Sequence, residues 1–158
     1  MLVIADSSAL LALASCDSLI FLDSLFEQVR VPPAVFAECT VAGKPRGDRL
    51  AFFLQDKVID VDLAELVIAA AGLGQGELEA MALYKRLHAD RLLVDDERAR
   101  KVARLNGISV VGSIGVLLLA KERHLIDSIR PRLEEIRSAG IRLGEELFLK
   151  ALSLAGEI

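Results

Sequence analysis

Leu2-Val3-Ile4-Ala5-Asp6-Ser7-Ser8 is the stretch whose reading decides the fold. Four apolar residues end abruptly in an acid and two hydroxyls, which predicts a short strand, buried on both faces, running straight into a helix N-terminus over residues 8–15. The same alternation repeats outward. Further strands are predicted at Val29-Arg30-Val31, at residues 58–61, at Arg91-Leu92-Leu93-Val94 and at residues 108–111. Helices are predicted over residues 18–26, from Pro32-Pro33 through Cys39, and over 48–55, 63–71, 77–88, 97–105, 113–122, 131–138 and 143–154. Gly43-Lys44-Pro45-Arg46-Gly47 and Gly72-Leu73-Gly74-Gln75-Gly76 read as loops, and Asn106-Gly107 stops a helix. Short apolar strands alternating with helices imply an α/β fold with three layers, α/β/α, around a central, mostly parallel sheet. The expectation is one domain over residues 1–158, with a C-terminal helical extension from about residue 113 to 158.

Composition narrows the function classes. The chain has 158 residues, 53% of them apolar, and its 19 basic against 23 acidic residues give a net charge of −4. Both signs are spread along it, which excludes a polybasic tail binder and a disordered acidic segment, so any polyanionic partner must be held locally. The longest clean apolar runs, residues 9–14 and 66–71, fall well short of the ~18 residues of a membrane span, and a soluble protein is expected. Leu13-Ala14-Ser15-Cys16 imitates a lipoprotein processing site, but no Lys or Arg precedes Arg30 and Asp6 puts a charge inside the apolar segment. Cys16 and Cys39 form neither a CxxC pair nor a secreted disulfide framework, which points to a reducing cytoplasm.

Ligands of parallel sheets bind outside the carboxyl ends of the strands. Asp6 ends the first strand there, and Asp95-Asp96 end the strand Leu92-Leu93-Val94. Glu38 rides the helix opened by Pro32-Pro33, and Glu77 and Glu79 start the helix after the glycine loop. Carboxylates gathered without matching cations repel unless a divalent ion neutralises them, and hard oxygen donors suit Mg²⁺ or Mn²⁺ rather than zinc. Each acid also has an ordinary reading. Asp6 fits a helix cap, Glu38 a solvated helix face, and Glu77 the favourable end of a helix dipole. Glu79 points about 200° away from Glu77 around the helix. The apolar stripe Ala80, Leu83, Tyr84 and Leu87, expected to face the sheet, lies slightly closer to Glu77, so Glu77 is favoured over Glu79.

Arg98, Arg100, Lys101 and Arg104 form the densest basic stretch, and Lys44, Arg46 and Arg49 a second; a solvated face is the plain reading of each, phosphate contact the functional one. His88 and His124 belong to no catalytic constellation and read as surface residues. With no Trp and one Tyr, an aromatic platform for bases is not expected. Leu143, Leu147, Ala151 and Leu154, with Phe148 beside them, form a helical stripe that reads as core, or, if exposed, as an apolar surface for a homodimer or a partner helix.

Four segments in order carry a family resemblance: Val3-Ile4-Ala5-Asp6-Ser7-Ser8-Ala9-Leu10, Val31-Pro32-Pro33-Ala34-Val35-Phe36-Ala37-Glu38, Gly76-Glu77-Leu78-Glu79-Ala80-Met81-Ala82-Leu83 and Leu92-Leu93-Val94-Asp95-Asp96-Glu97-Arg98-Ala99-Arg100. The likeness continues through Val111-Gly112-Ser113-Ile114-Gly115. The sequence resembles the PIN-domain ribonucleases, especially the prokaryotic group related to toxin-antitoxin toxins. The resemblance implies a metal-dependent endoribonuclease binding one or two Mg²⁺ or Mn²⁺ ions and leaving 5′-phosphate and 3′-hydroxyl ends. It places the family's acids on Asp6, Glu38, Glu77 and Asp95, with Glu79 and Asp96 as alternates. Val94 stands where many relatives carry a hydroxyl; Ser7 is the substitute for it. The partners it implies are RNA, a small antitoxin-type protein and a second copy of the chain in a homodimer. The alternative is a catalytically silent module of the same fold. A phosphoacceptor receiver domain needs a Lys at a later strand end, which residues 108–112 do not supply.

Overall fold

In the computed structural model, which describes residues 1–41, 45–63 and 72–158, every strand of the central sheet points the same way. Strand β1 (Leu2–Ala5) lies between β2 (Gln28–Arg30) and β3 (Arg91–Leu93), and β4 (Val110–Val111) completes the order β2-β1-β3-β4. All pairs are parallel, with Val3 opposite Val29 and Arg91, and Leu92 opposite Val110. Val3, Ile4 and Ala5 are wholly buried, as expected of a strand covered on both faces. A core residue such as Ile4 is worth about 2–5 kcal/mol against truncation to alanine. Because the strands are parallel, all four C-terminal ends open onto one edge, and β1 and β3 run directly into Asp6 and, past Val94, Asp95-Asp96.

Helices α1 (Ser7–Ser15), α2 (Ile20–Leu25), α3 (Pro33–Cys39) and α4 (Pro45–Leu54) follow the first strands. Proline at the first turn opens α3, as its fixed φ favours. The strand expected at residues 58–61 is reduced to a single parallel bridge between Val31 and Val58. Pro32 and Pro33 follow Val31 without amide hydrogens, so no ladder can continue there. Helix α4 begins at Pro45, inside the expected loop, and the helix expected at residues 63–71 falls almost wholly outside the described residues.

Helix α5 (Gln75–Leu87) starts two residues earlier than expected, which puts Glu77 third in the helix. It is followed by α6 (Glu97–Leu105), α7 (Ser113–Glu122), α8 (Arg130–Ser138) and α9 (Glu145–Leu154). The stripe expected in α9 divides: Phe148 and Ala151 enter the core with Leu152, while Leu147 and Leu154 stay exposed. Phe148 turns inward under Arg137, whose guanidinium lies 3.8 Å from the ring centroid. Among the described residues no helix is long and apolar enough to cross a membrane. Both thiols are free and buried.

Candidate functional site

Asp6 is the centre of the C-terminal edge. Its amide donates to the Leu93 carbonyl at 2.8 Å, which stitches the end of β1 to β3. It occupies the N-cap position of α1 in extended conformation, with no well-formed side-chain capping hydrogen bond, although the Ser7 and Ser8 amides lie close enough to lower its pKa. The Ser8 hydroxyl donates to Asp6 Oδ2 at 3.1 Å and accepts from the amides of Asp95 (3.0 Å) and Asp96 (3.3 Å), so one hydroxyl gathers both strand ends. Asp6 is 2% exposed, and its Oδ1 is buried without a hydrogen-bond partner. Burial pushes the Asp6 carboxyl up to about 6, with the charge of Glu77 adding to the rise against hydrogen bonds from Ser7 and Ser8.

The remaining acids separate by what their two oxygens do. Glu38, at the exposed end of α3, accepts from the Ser7 hydroxyl at 2.8 Å through Oε2. Its carboxylate rests against Gly76, where a Cβ would push the Glu38 carboxylate out of this position. Glu77 accepts from the Gly74 amide at 3.2 Å through Oε2. Burial raises its pKa, as do the charges of Asp96 and Glu38, while Arg98 opposes them. Asp96 caps α6, Oδ2 accepting from the Ala99 amide at 2.9 Å. Among the described residues, Asp6, Glu38, Glu77 and Asp96 thus each fix one oxygen and leave the other without a hydrogen-bond partner.

Asp95 and Glu79 differ. Asp95 accepts from the Ser113 amide (2.7 Å) and hydroxyl (2.6 Å), one on each oxygen, and so pins the start of α7 to the end of β3. Gly112 makes room, since a Cβ there would lie 2.9 Å from Asp95 Oδ1 and 2.7 Å from Arg100 Nη1. Glu79 accepts from the Ala34 amide (3.1 Å) and the Gln75 side chain (2.7 Å), which anchors the first turn of α3 on α5. Its 200° offset from Glu77 delivers it to a different helix, not to Asp6.

Among the described residues no three His, Cys, Asp or Glu side chains stand close enough to grip a metal ion as arranged. The expected four-carboxylate cage is therefore not preassembled, and Asp95 is turned toward Ser113. Cys39 lies beside this cluster, its thiol pushed up to about 12 by burial and by the charges of Asp6 and Glu38, so it stays protonated. His88 and His124 are both exposed, with left-handed backbone conformations at helix ends.

Of the basic residues, Arg98 donates to the Gly72 carbonyl at 3.0 Å and Arg100 to the Val94 carbonyl at 3.1 Å, on either flank of the acids. The second expected patch is spent elsewhere: Arg46 donates to the Ala139 carbonyl and Arg49 pairs with Asp17, while Lys44 lies outside the described residues. Sequence pattern alone does not mark Ser8, Ser113, Gly76 and Gly112 for these roles. The available signal was small residues placed directly after strands and at a helix start, where a close approach is needed.

A family model described as a PIN domain matches residues 2–157. The chain belongs to the PIN-domain family. PIN domains are generally nucleases and typically use divalent metal ions, and the all-parallel sheet with its acidic C-terminal edge fits that family. Searches of curated proteins and of solved structures return no match.

Proposed function

We propose that this PIN domain is a Mg²⁺- or Mn²⁺-dependent endoribonuclease, the toxin of a toxin-antitoxin pair, acting in the cytoplasm. One observation carries the reading. Four acids at the sheet edge each keep one oxygen fixed and one open, and the innermost of these, Asp6 Oδ1, is a buried acceptor with nothing to accept from. An orphaned buried acceptor costs about 1–3 kcal/mol, a cost that a bound cation removes. The donor set fits a hard divalent ion, being all carboxylate and close to hydroxyls rather than thiolates.

In this reading Asp6, Glu38, Glu77 and Asp96 hold the ion through their open oxygens. When bound, a divalent ion supplies a water of lowered pKa and offsets charge on the scissile phosphate. The chain supplies the positioning. Ser7 and Ser8 keep the Glu38 and Asp6 carboxylates oriented, Asp95 fixes α7 through Ser113, and Glu79 fixes the helix that carries Glu38. Arg98 and Arg100 flank the acids and attract the phosphate. RNA, an antitoxin-type protein that silences the enzyme, and a second copy of the chain are the partners of this reading.

The test is cleavage of a fluorescent RNA by the purified full chain with EDTA and then with Mg²⁺ or Mn²⁺. Metal-dependent cleavage leaving 5′-phosphates is expected; intact RNA under all conditions overturns the enzyme. A silent RNA-binding module is the second reading, favoured by the lack of a ready-made three-ligand grip among the described residues. It predicts binding without cleavage.

A further inference from the structure

Helix α6 begins at Asp96 and carries cations to two sides of the acids. Arg98 faces the Glu77 side, where its charge lowers the pKa of that carboxyl and its Nη1 meets Gly72. Arg100 and Arg104 face the other side, one helical turn apart, about 6 Å along the axis. There they line a groove of about 510 Å³ together with Arg142, Asp95 and Glu97, with Ile114, Leu143 and Leu147 among its apolar lining. Among the described residues no carboxylate lies within ion-pair distance of Arg98, Arg100, Arg104 or Arg142. In a chain whose net charge is −4, the groove sets Arg100, Arg104 and Arg142 against Asp95 and Glu97, a small local excess of positive charge.

We infer that this groove holds the RNA strand on one side of the scissile phosphate, with successive backbone phosphates on Arg100, Arg104 and Arg142. The inference rests on the nuclease reading and adds the path of the substrate. Asp95 and Ser113 line the groove, and the Ser8 hydroxyl that accepts from the Asp95 amide also donates to Asp6, so the groove adjoins the acid cluster. A polyanion brought to four carboxylates is repelled unless cations flank them, and Arg98 on one side and the Arg100–Arg104 row on the other meet that need. The spacing of that row is comparable to the separation of successive phosphates on a strand. No aromatic residue lines the groove, so bases find no ring to stack on, and the backbone is held with little base preference. An acidic, apolar protein segment would match the Arg rim and apolar floor but gives no reason for Arg98 across the cleft.

The test uses a fluorescein-labelled single-stranded RNA of mixed sequence, bound to the full chain in EDTA and followed by anisotropy between about 50 and 200 mM salt. The variant is Arg104→Gln with Arg142→Gln, both exposed and with no side-chain hydrogen bond among the described residues, so melting stays unchanged. It is expected to bind about tenfold more weakly at low salt, with a salt slope shallower by about 1.4, about 0.7 for each lost phosphate contact. In the metal-dependent assay KM rises by a similar factor while kcat stays within about twofold. Unchanged affinity and slope overturn the groove while leaving a cleaving parent enzyme intact. Arginine-dependent binding by a parent that never cleaves keeps the groove and overturns the nuclease. A parent that ignores RNA but binds a polyglutamate probe through Arg104 and Arg142 makes the groove a protein-docking site and the inference wrong.

Discussion

Asp6 and Glu157 are both shielded carboxylates, and the chain treats them in opposite ways. Glu157 closes the C-terminus with its side chain 12% exposed. Its oxygens accept from the Ile129 amide (2.9 Å), the Arg130 amide (3.3 Å), the Ser128 hydroxyl and the Lys121 ammonium (3.0 Å). Burial alone would raise its pKa; those donors outweigh it and hold the carboxyl down to about 2. Asp6 has the Ser8 hydroxyl on Oδ2 and no well-aligned partner on Oδ1; the neighbouring Ser7 and Ser8 amides do not offset burial, which lifts it to about 6. A charge with all its donors fastens the last residues to the fold. A charge denied them is a standing cost, retained where a cation can answer it.

The widest break in that comparison is in activity. Asp6→Asn, Glu77→Gln and Asp96→Asn are each expected to lower metal-dependent RNA cleavage by more than about a hundredfold, beyond what loss of an orienting neighbour costs. Glu157→Gln should leave kcat untouched. Full cleavage by all three site variants removes the acids from the mechanism.

The pH dependence of stability should carry both signs. Asp6 has a folded pKa near 6 against 3.8 unfolded, so its contribution is complete below about 3.8 and is lost as pH rises through 6, a fall of about 3 kcal/mol. Glu157 does the reverse: its contribution is present above 4.5 and lost as pH falls toward 2. Denaturant titrations in EDTA should show Asp6→Asn removing the loss on the neutral side and Glu157→Gln removing the loss on the acid side. If Asp6→Asn is no more stable than the parent at neutral pH, the carboxylate carries no cost there.

A smaller effect follows from the cation itself. At a hundred times its dissociation constant, Mn²⁺ should stabilise the parent by about 2.7 kcal/mol and Asp6→Asn by much less, seen as a shift in melting temperature. Equal shifts in the two would place the ion away from Asp6.

Much of the fold is legible because its two central strands carry short apolar runs that end in acids, a pattern that local chemistry writes directly into Leu2-Val3-Ile4-Ala5-Asp6 and Leu92-Leu93-Val94-Asp95. The strand expected at residues 58–61 is not formed because β-propensity says nothing about whether a partner can pair, and Pro33 lacks the amide that would donate next, to Ile59. Within the site, sequence could name the six acids but not divide them. That division depends on donors far away in the chain: Ser113 lies eighteen residues from Asp95, and Ala34 lies forty-five from Glu79. Spacing along one helix or strand contains no trace of such partners.

The finest test lies between the neighbours Asp95 and Asp96. Asp96→Asn should change stability by less than about 0.5 kcal/mol, since asparagine caps a helix as well as aspartate and Ala99 keeps its acceptor. Asp95→Asn can still accept from the Ser113 amide and donate to its hydroxyl, but two charge-assisted bonds become neutral ones, at a cost of about 1 kcal/mol. Thermal melts in EDTA, where no ion contributes, read this difference directly. Asp95 is then a positioning residue: its variant melts earlier yet keeps measurable cleavage, while the Asp96 variant melts normally and loses it. The reverse pairing, a normal melt with lost cleavage for Asp95→Asn and an early melt with retained cleavage for Asp96→Asn, would move the open oxygen one residue back along the chain.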